Sequence, residues 1–173
     1  MKKLFLALMV GGLFVIGCDK DDDDIDNSNV LNQTDQTFIS KAYTNNATEI
    51  ELGQLAAISD NDSIADFGQM MVTEHTSANV QLKAMADSLA VSVSDSLDAA
   101  GQALRTQLQG LTGREFDSVY IKSQVTMHQE AIRLFNEEIT NGQHVRVKSY
   151  ANSLLPTIVN HKVMADSIAL GFQ

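Results

Sequence analysis

The sequence predicts an all-α domain: a four-helix bundle with a short extra helix in the connection between the second and third long helices. Three observations carry that expectation. Apolar residues recur in alternating steps of three and four along four long stretches, the spacing that gives a helix one apolar face. The chain of 173 residues holds a single proline, so little interrupts those stretches. Clusters of Ser, Asn, Asp and Gly fall between them, where turns belong.

Ahead of the bundle, Lys2 and Lys3 precede an apolar run over 4–16. That run is short for a membrane span and suits a secretion signal. It closes with Val15-Ile16-Gly17-Cys18, which resembles the lipobox of bacterial lipoproteins. The resemblance implies removal of the signal peptide 1–17 and acylation of Cys18, the only cysteine of the chain. A lone thiol closes no internal disulfide. Its acyl chains would hold the protein to a membrane, each buried CH₂ contributing about 0.8 kcal/mol. The expected localisation is therefore the bacterial cell envelope, as an outer-membrane lipoprotein. Residues 19–26 are nearly all aspartate around Lys20, a self-repelling stretch. With the Asn, Ser, Thr and Gln of 27–35 it reads as an acidic, disordered tether over 18–35. Cys-x-Lys followed by acids also looks like the surface-export signal of lipoproteins in the Bacteroidetes group, which would display the domain outward. The helical domain is expected over 36–171.

Helix one is expected over about 35–59, with Phe38, Ala42, Asn45, Glu49, Leu52 and Ala56 on its inner face. Residues 59–63 make a turn rich in cap-forming side chains. Helix two follows to about 91, its seam being Ile64, Phe67, Met71, His75, Ala78, Leu82, Met85 and Leu89. Gly53 and Gly68 lower helix propensity, which points to close approach of these two helices. The link 92–113 carries its own amphipathic pattern in Leu97, Ala100, Leu104, Leu108 and Leu111. Thr112 and Glu115 match a capping box. Helix three then runs to about 140 on Ile121, Val125, His128, Ile132, Phe135 and Ile139. After a break at 141–143, helix four uses Val147, Ala151, Leu154, Ile158, His161, Ala165 and Ile168. Pro156 predicts a kink or a late helix start near Ser153. His144, at the start of that helix, is expected in solvent.

Chemistry is hinted at in one place. Glu49, His75, His128 and His161 each stand on an inner face close to the middle of their helix, within about one turn of a common depth. Unpaired in a core, such groups are costly. They must bond one another, water, or an ion. Three imidazoles and a carboxylate suit one divalent transition metal such as Zn, Fe or Mn, with Asn45 one turn from Glu49 as an outer partner. The competing reading is a hydrogen-bonded layer that fixes helix register. A two-iron site needs carboxylates three residues before the histidines, and Val72, Val125 and Ile158 stand there instead. No nucleophile sits in a catalytic setting, so no catalytic residue is assigned and the sequence points away from an enzyme. The net charge of −10 becomes −12 once Lys2 and Lys3 leave with the leader, and no basic stripe offers a nucleic-acid surface.

Several spaced motifs resemble a large bacterial family of exported domains of unknown function with a ferritin-like fold, often labelled predicted outer membrane proteins. They are Glu49-x-Glu51-Leu52-Gly53-x-Leu55-Ala56, Met71-Val72-x-Glu74-His75-Thr76-x-Ala78-Asn79, Phe116-Asp117-x-x-Tyr120, Gln124-Val125-x-Met127-His128-x-x-Ala131-Ile132, and Leu155-Pro156-Thr157 leading to His161. The resemblance spans about 36–170 and implies a ferritin-like four-helix bundle with no settled activity. Asp117 and Tyr120 match its pattern beside Glu49 and the three histidines. The leading functional reading is a lipid-anchored, non-enzymatic structural, stress-related or interaction module. The alternative is a mononuclear, redox-capable metal-binding protein built on the Glu/His cluster. A third is a small-molecule carrier with its cavity under 92–113.

Overall fold

The computed structural model describes residues 29–173. The expected leader over 1–17, Cys18 and the tether as far as residue 28 lie outside the described residues. Five α-helices follow in order: α1 (Gln33–Ala56), α2 (Asp62–Ser88), α3 (Ala99–Gln109), α4 (Gly113–Asn141) and α5 (Val145–Ala169), with a 3₁₀ turn at Leu170–Phe172. The four long helices are those the apolar periodicity outlines, and α3 is the extra one in the long link.

Contacts between helix ends give the topology. Asn32, capping α1, donates to the Asn141 carbonyl at the end of α4, and Arg146 at the start of α5 reaches Ser88 at the end of α2. These four termini share one end of the bundle. Phe116 at the start of α4 and Phe172 beyond α5 pack with Ala56 and Ile64 at the other. Neighbouring long helices are therefore antiparallel, while α2 and α4 run parallel. The link containing α3 must travel the length of the bundle to join them. One long crossover between two antiparallel hairpins is the ferritin-like arrangement.

Every seam residue named from the sequence is buried or partly buried. The hairpin α1–α2 is tight because of its two glycines. A Cβ on Gly68 would lie 2.8 Å from both the Ala56 Cβ and the Ala57 nitrogen, and one on Gly53 would lie 2.9 Å from the Gly68 oxygen. Leu97, just before α3, and Leu108 within it are buried, whereas Ala100 is exposed and Gly101 meets Thr48 of α1 instead. Arg105 adds an ion pair to Glu51 at 2.6 Å.

The remaining differences from expectation lie at helix ends. α1 begins at Gln33 inside the expected tether, because Asn32 and Asp35 form a reciprocal capping box. Thr112 makes no side-chain cap bond. The next residue, Gly113, enters α4 at φ +55°, a left-handed step that glycine takes without a Cβ penalty. Helix α5 runs unbroken through Pro156, so the late start does not occur. His144 is buried rather than solvated: its Nδ1 accepts from the Arg146 amide as the α5 cap, and its own amide donates to Asp35 at 3.0 Å.

Candidate metal centre

Buried apolar side chains fall into two groups. Phe38, Tyr43, Leu82, Phe135 and Tyr150 belong to one half of the bundle, and Leu52, Phe67, Met71, Tyr120 and Ile121 to the other. Glu49, His75, Gln124, His128 and His161 form the polar layer between them, contributed by α1, α2, α4 and α5. That layer is what the shared depth of the sequence positions anticipates. His128 and His161 are almost fully enclosed, and His75, half-buried as a residue, has its Nε2 shielded from solvent.

The three imidazoles form a nearly regular triangle, with ring centroids 5.3, 5.6 and 5.8 Å apart. One nitrogen from each lies within 4.8 Å of the other two. This triple-histidine group could hold a metal ion. Four-coordinate zinc at about 2.0–2.1 Å from each ligand separates neighbouring nitrogens by roughly 3.3 Å, and His128 Nε2 already stands 3.3 Å from His161 Nδ1.

Outer partners decide where the ring protons sit. His75 Nδ1 lies 2.8 Å from Asn46 Oδ1, His128 Nδ1 lies 3.0 Å from the Gln124 carbonyl, and His161 Nε2 lies 2.9 Å from Glu74 Oε2. The carbonyl and the carboxylate can only accept, and the Asn46 amide presents its oxygen, so each outer nitrogen carries the proton. Burial, followed by the repulsion of the neighbouring rings, holds His75 well below the usual histidine range. Burial also lowers His161, although the Glu74 carboxylate partly opposes it. Both rings are therefore neutral near pH 7. Their inner nitrogens, and that of His128, turn toward one another. His75 Nε2 is buried with no hydrogen-bond partner, and His128 Nε2 and His161 Nδ1 stand 3.3 Å apart.

Glu49 stands elsewhere than a ligand would. Its Oε1 is 3.7 Å from His128 Nδ1, on the outer edge of that ring, so it backs the imidazole instead of joining the three inner nitrogens. Burial raises the Glu49 pKa, offset in part by His128 and the Gln124 side chain. Asn45 was expected as the outer partner; the amide that meets an imidazole is its neighbour Asn46, while Asn45 lines a small cavity with Glu49. Glu74 was missed as a site residue because it sits on the exposed side of α2, one position before His75. Its adjacency to His75 gave no sign that it serves His161, 87 residues away. Gln124 and Tyr120, one and two turns before His128, extend the polar stripe: the Gln124 side-chain atoms, the Tyr120 hydroxyl and Glu49 Oε2 are all buried without hydrogen-bond partners. Burial and nearby Glu49 push the Tyr120 pKa well up. Asp117 accepts from the Ser59 hydroxyl at 2.7 Å and so pins the α1–α2 turn to α4. Val72, Val125 and Ile158 stand three residues before the histidines, where a two-iron site would carry carboxylates.

A helical bundle with a histidine triad at mid-height is thus the class of protein that fold and site define. The chain belongs to a family described as a domain of unknown function (DUF4142), whose model matches residues 23–168. A solved structure of similar fold is a DUF305 fragment from Deinococcus radiodurans, with a TM-score of 0.71 and 11% sequence identity. The match covers 80% of this chain and 97% of the fragment. No curated protein matches the chain.

Proposed function

We propose that this protein binds one divalent transition metal through His75, His128 and His161, in a bundle tethered to the bacterial envelope by lipid on Cys18. One observation carries the metal reading: each outer ring nitrogen is held by an acceptor, one nitrogen of every ring lies within 4.8 Å of the other two, and among the described residues His75 Nε2 is buried without a hydrogen-bond partner. A metal ligated by histidine characteristically has the second ring nitrogen fixed in this way. Glu74 and Glu49, standing behind two of the ligands, would offset the charge of a divalent ion without binding it. Imidazole donors suit zinc or iron better than the oxygen-preferring manganese. The ion would act as a Lewis acid at whatever position the histidines leave open.

The interaction-module reading explains the outer hydrogen bonds as a register-fixing layer. It does not explain why His75 Nε2 is buried without a partner, where its desolvation costs free energy. The anchoring half of the proposal rests on the positive start, the short apolar run and the lipobox-like residues before Cys18.

Elemental analysis of the purified full chain carrying Cys18→Ser, before and after incubation with Zn²⁺, Fe²⁺ or Mn²⁺, tests the metal reading. The expected result is one ion per chain, lost in His128→Ala. A chain that stays metal-free at micromolar free ion overturns it. Radiolabelled fatty acid incorporated by the native chain, and not by Cys18→Ser, tests the anchor.

A further inference from the structure

Three nitrogens do not complete a transition-metal site, and the surroundings say what fills the rest. The ligands come from α2, α4 and α5, while α1 supplies only outer groups. Two cavities flank His75. The smaller, about 50 Å³, is shared with Glu49 and His128; the larger, about 190 Å³, has His161, Thr157 and Leu154 on its wall. Both also touch Asn46, Phe135 and Ile158, so they meet across His75.

The charge of these walls is one-sided. Glu49 and Glu130 line the smaller cavity and Glu74 the larger, and among the described residues no lysine or arginine lines either. Glu49 and Glu74 stand behind two of the ligands, so an anion bound to the ion would sit among carboxylates with no cation on either wall to offset it. The larger cavity offers uncharged hydrogen-bonding side chains, Asn46, Gln81 and Thr157, opposite the apolar Leu154, Ile158 and Phe135. Its volume is of the order that admits a benzene-sized molecule, since an engineered cavity of about 150 Å³ does so.

We infer that the open position of this centre takes a small uncharged molecule with one nitrogen or oxygen donor and an apolar body, admitted from the larger cavity, and that it discriminates against anions. This deepens the metal reading and rests on it. A three-histidine centre whose surroundings were cationic would bind anions readily; the acidic walls here reverse that preference.

The test uses the full chain with Cys18→Ser loaded with Co²⁺, whose visible absorption reports both loading and any change of ligand. Imidazole serves as the uncharged probe and azide as the anion. The expected result is a saturable, dialysis-reversible spectral change with imidazole, at a concentration at least tenfold below that needed for azide. Thr157→Phe, which fills the cavity, should weaken the imidazole response at least tenfold at unchanged cobalt stoichiometry. Gln81→Arg, on the exposed rim, should strengthen azide binding severalfold and leaves the interior packing alone. Azide binding as well as imidazole in the parent protein overturns the inference, as does a response untouched by both variants. Failure to take up Co²⁺ is a different result: it removes the metal reading, and this inference with it.

Discussion

Replacing His128 by alanine gives the most direct test of the centre. His128 is 1% exposed, its Nδ1 is committed to the Gln124 carbonyl, and its Nε2 is the nitrogen nearest another ligand. Removing it deletes one of three donors and leaves the other two on helices α2 and α5. An ion that binds only the folded chain stabilises it by RT ln(1 + [L]/Kd), about 2.7 kcal/mol at a free concentration one hundred times Kd. For a domain of this size each kcal/mol moves the melting temperature by about 2–4 °C. Zinc at that concentration should therefore raise the melting temperature of the parent chain by about 5–10 °C. The same zinc should move His128→Ala by less than about 2 °C, if its affinity falls a hundredfold or more. Circular dichroism melts of each protein with and without zinc measure the difference, and comparing each with its own metal-free form cancels the cavity the substitution leaves. Equal zinc-induced shifts in parent and variant would refute the assignment of the three inner nitrogens.

Three further outcomes follow from the same geometry. Glu74→Gln keeps an acceptor for His161 Nε2 but removes the charge behind it, so zinc affinity should fall about 10–100-fold while the melting temperature of the metal-free chain barely moves; an unchanged dissociation constant would detach Glu74 from the site. Because burial holds His75 and His161 below the usual range, protons compete poorly for them, and zinc affinity should stay nearly flat from pH 8 to below about 6.5. Competition titrations showing affinity falling about a thousandfold per pH unit from 6.5 downward, as three ordinary imidazoles would give, contradict this. Away from the centre, Glu138 is enclosed at the end of the bundle beside Asp35, where burial first and Asp35 second raise its pKa from 4.5 to about 8, against the pull of Lys148. Its protonated form is favoured by folding, so its contribution is full below about pH 4.5 and is lost as pH rises through about 8. The melting temperature should fall between pH 6 and 9, and Glu138→Gln should flatten that fall; parallel pH profiles would remove Glu138 as the cause.

Much of this protein was legible in one dimension. Helical periodicity is local, so it assigned the inner faces of the four long helices and the depth of each histidine within its own helix. Gly53 and Gly68 likewise announced a close approach that the α1–α2 hairpin makes. Glu49 was harder. Its helical position placed it at the right level and on the inner face, but not on the inner edge of the His128 ring. Asn46, one residue from the expected Asn45, makes the bond because side-chain reach across a helix interface depends on the neighbour's position as well as on spacing. His144 was misplaced for a related reason: Asp35, on a distant helix, gathers its amide at the end of the bundle.

The sequence by itself therefore determined an all-α bundle and the level at which its polar residues meet, since both follow from a repeat of 3.6 residues and from what each side chain gains by leaving water. Only tertiary structure decided which nitrogen of each ring faces inward. That choice belongs to Asn46, the Gln124 carbonyl and Glu74, of which only the carbonyl lies on the same helix as the histidine it orients. For His75 and His161 the ring is oriented by an acceptor brought from another helix, and no spacing along one chain encodes that distance.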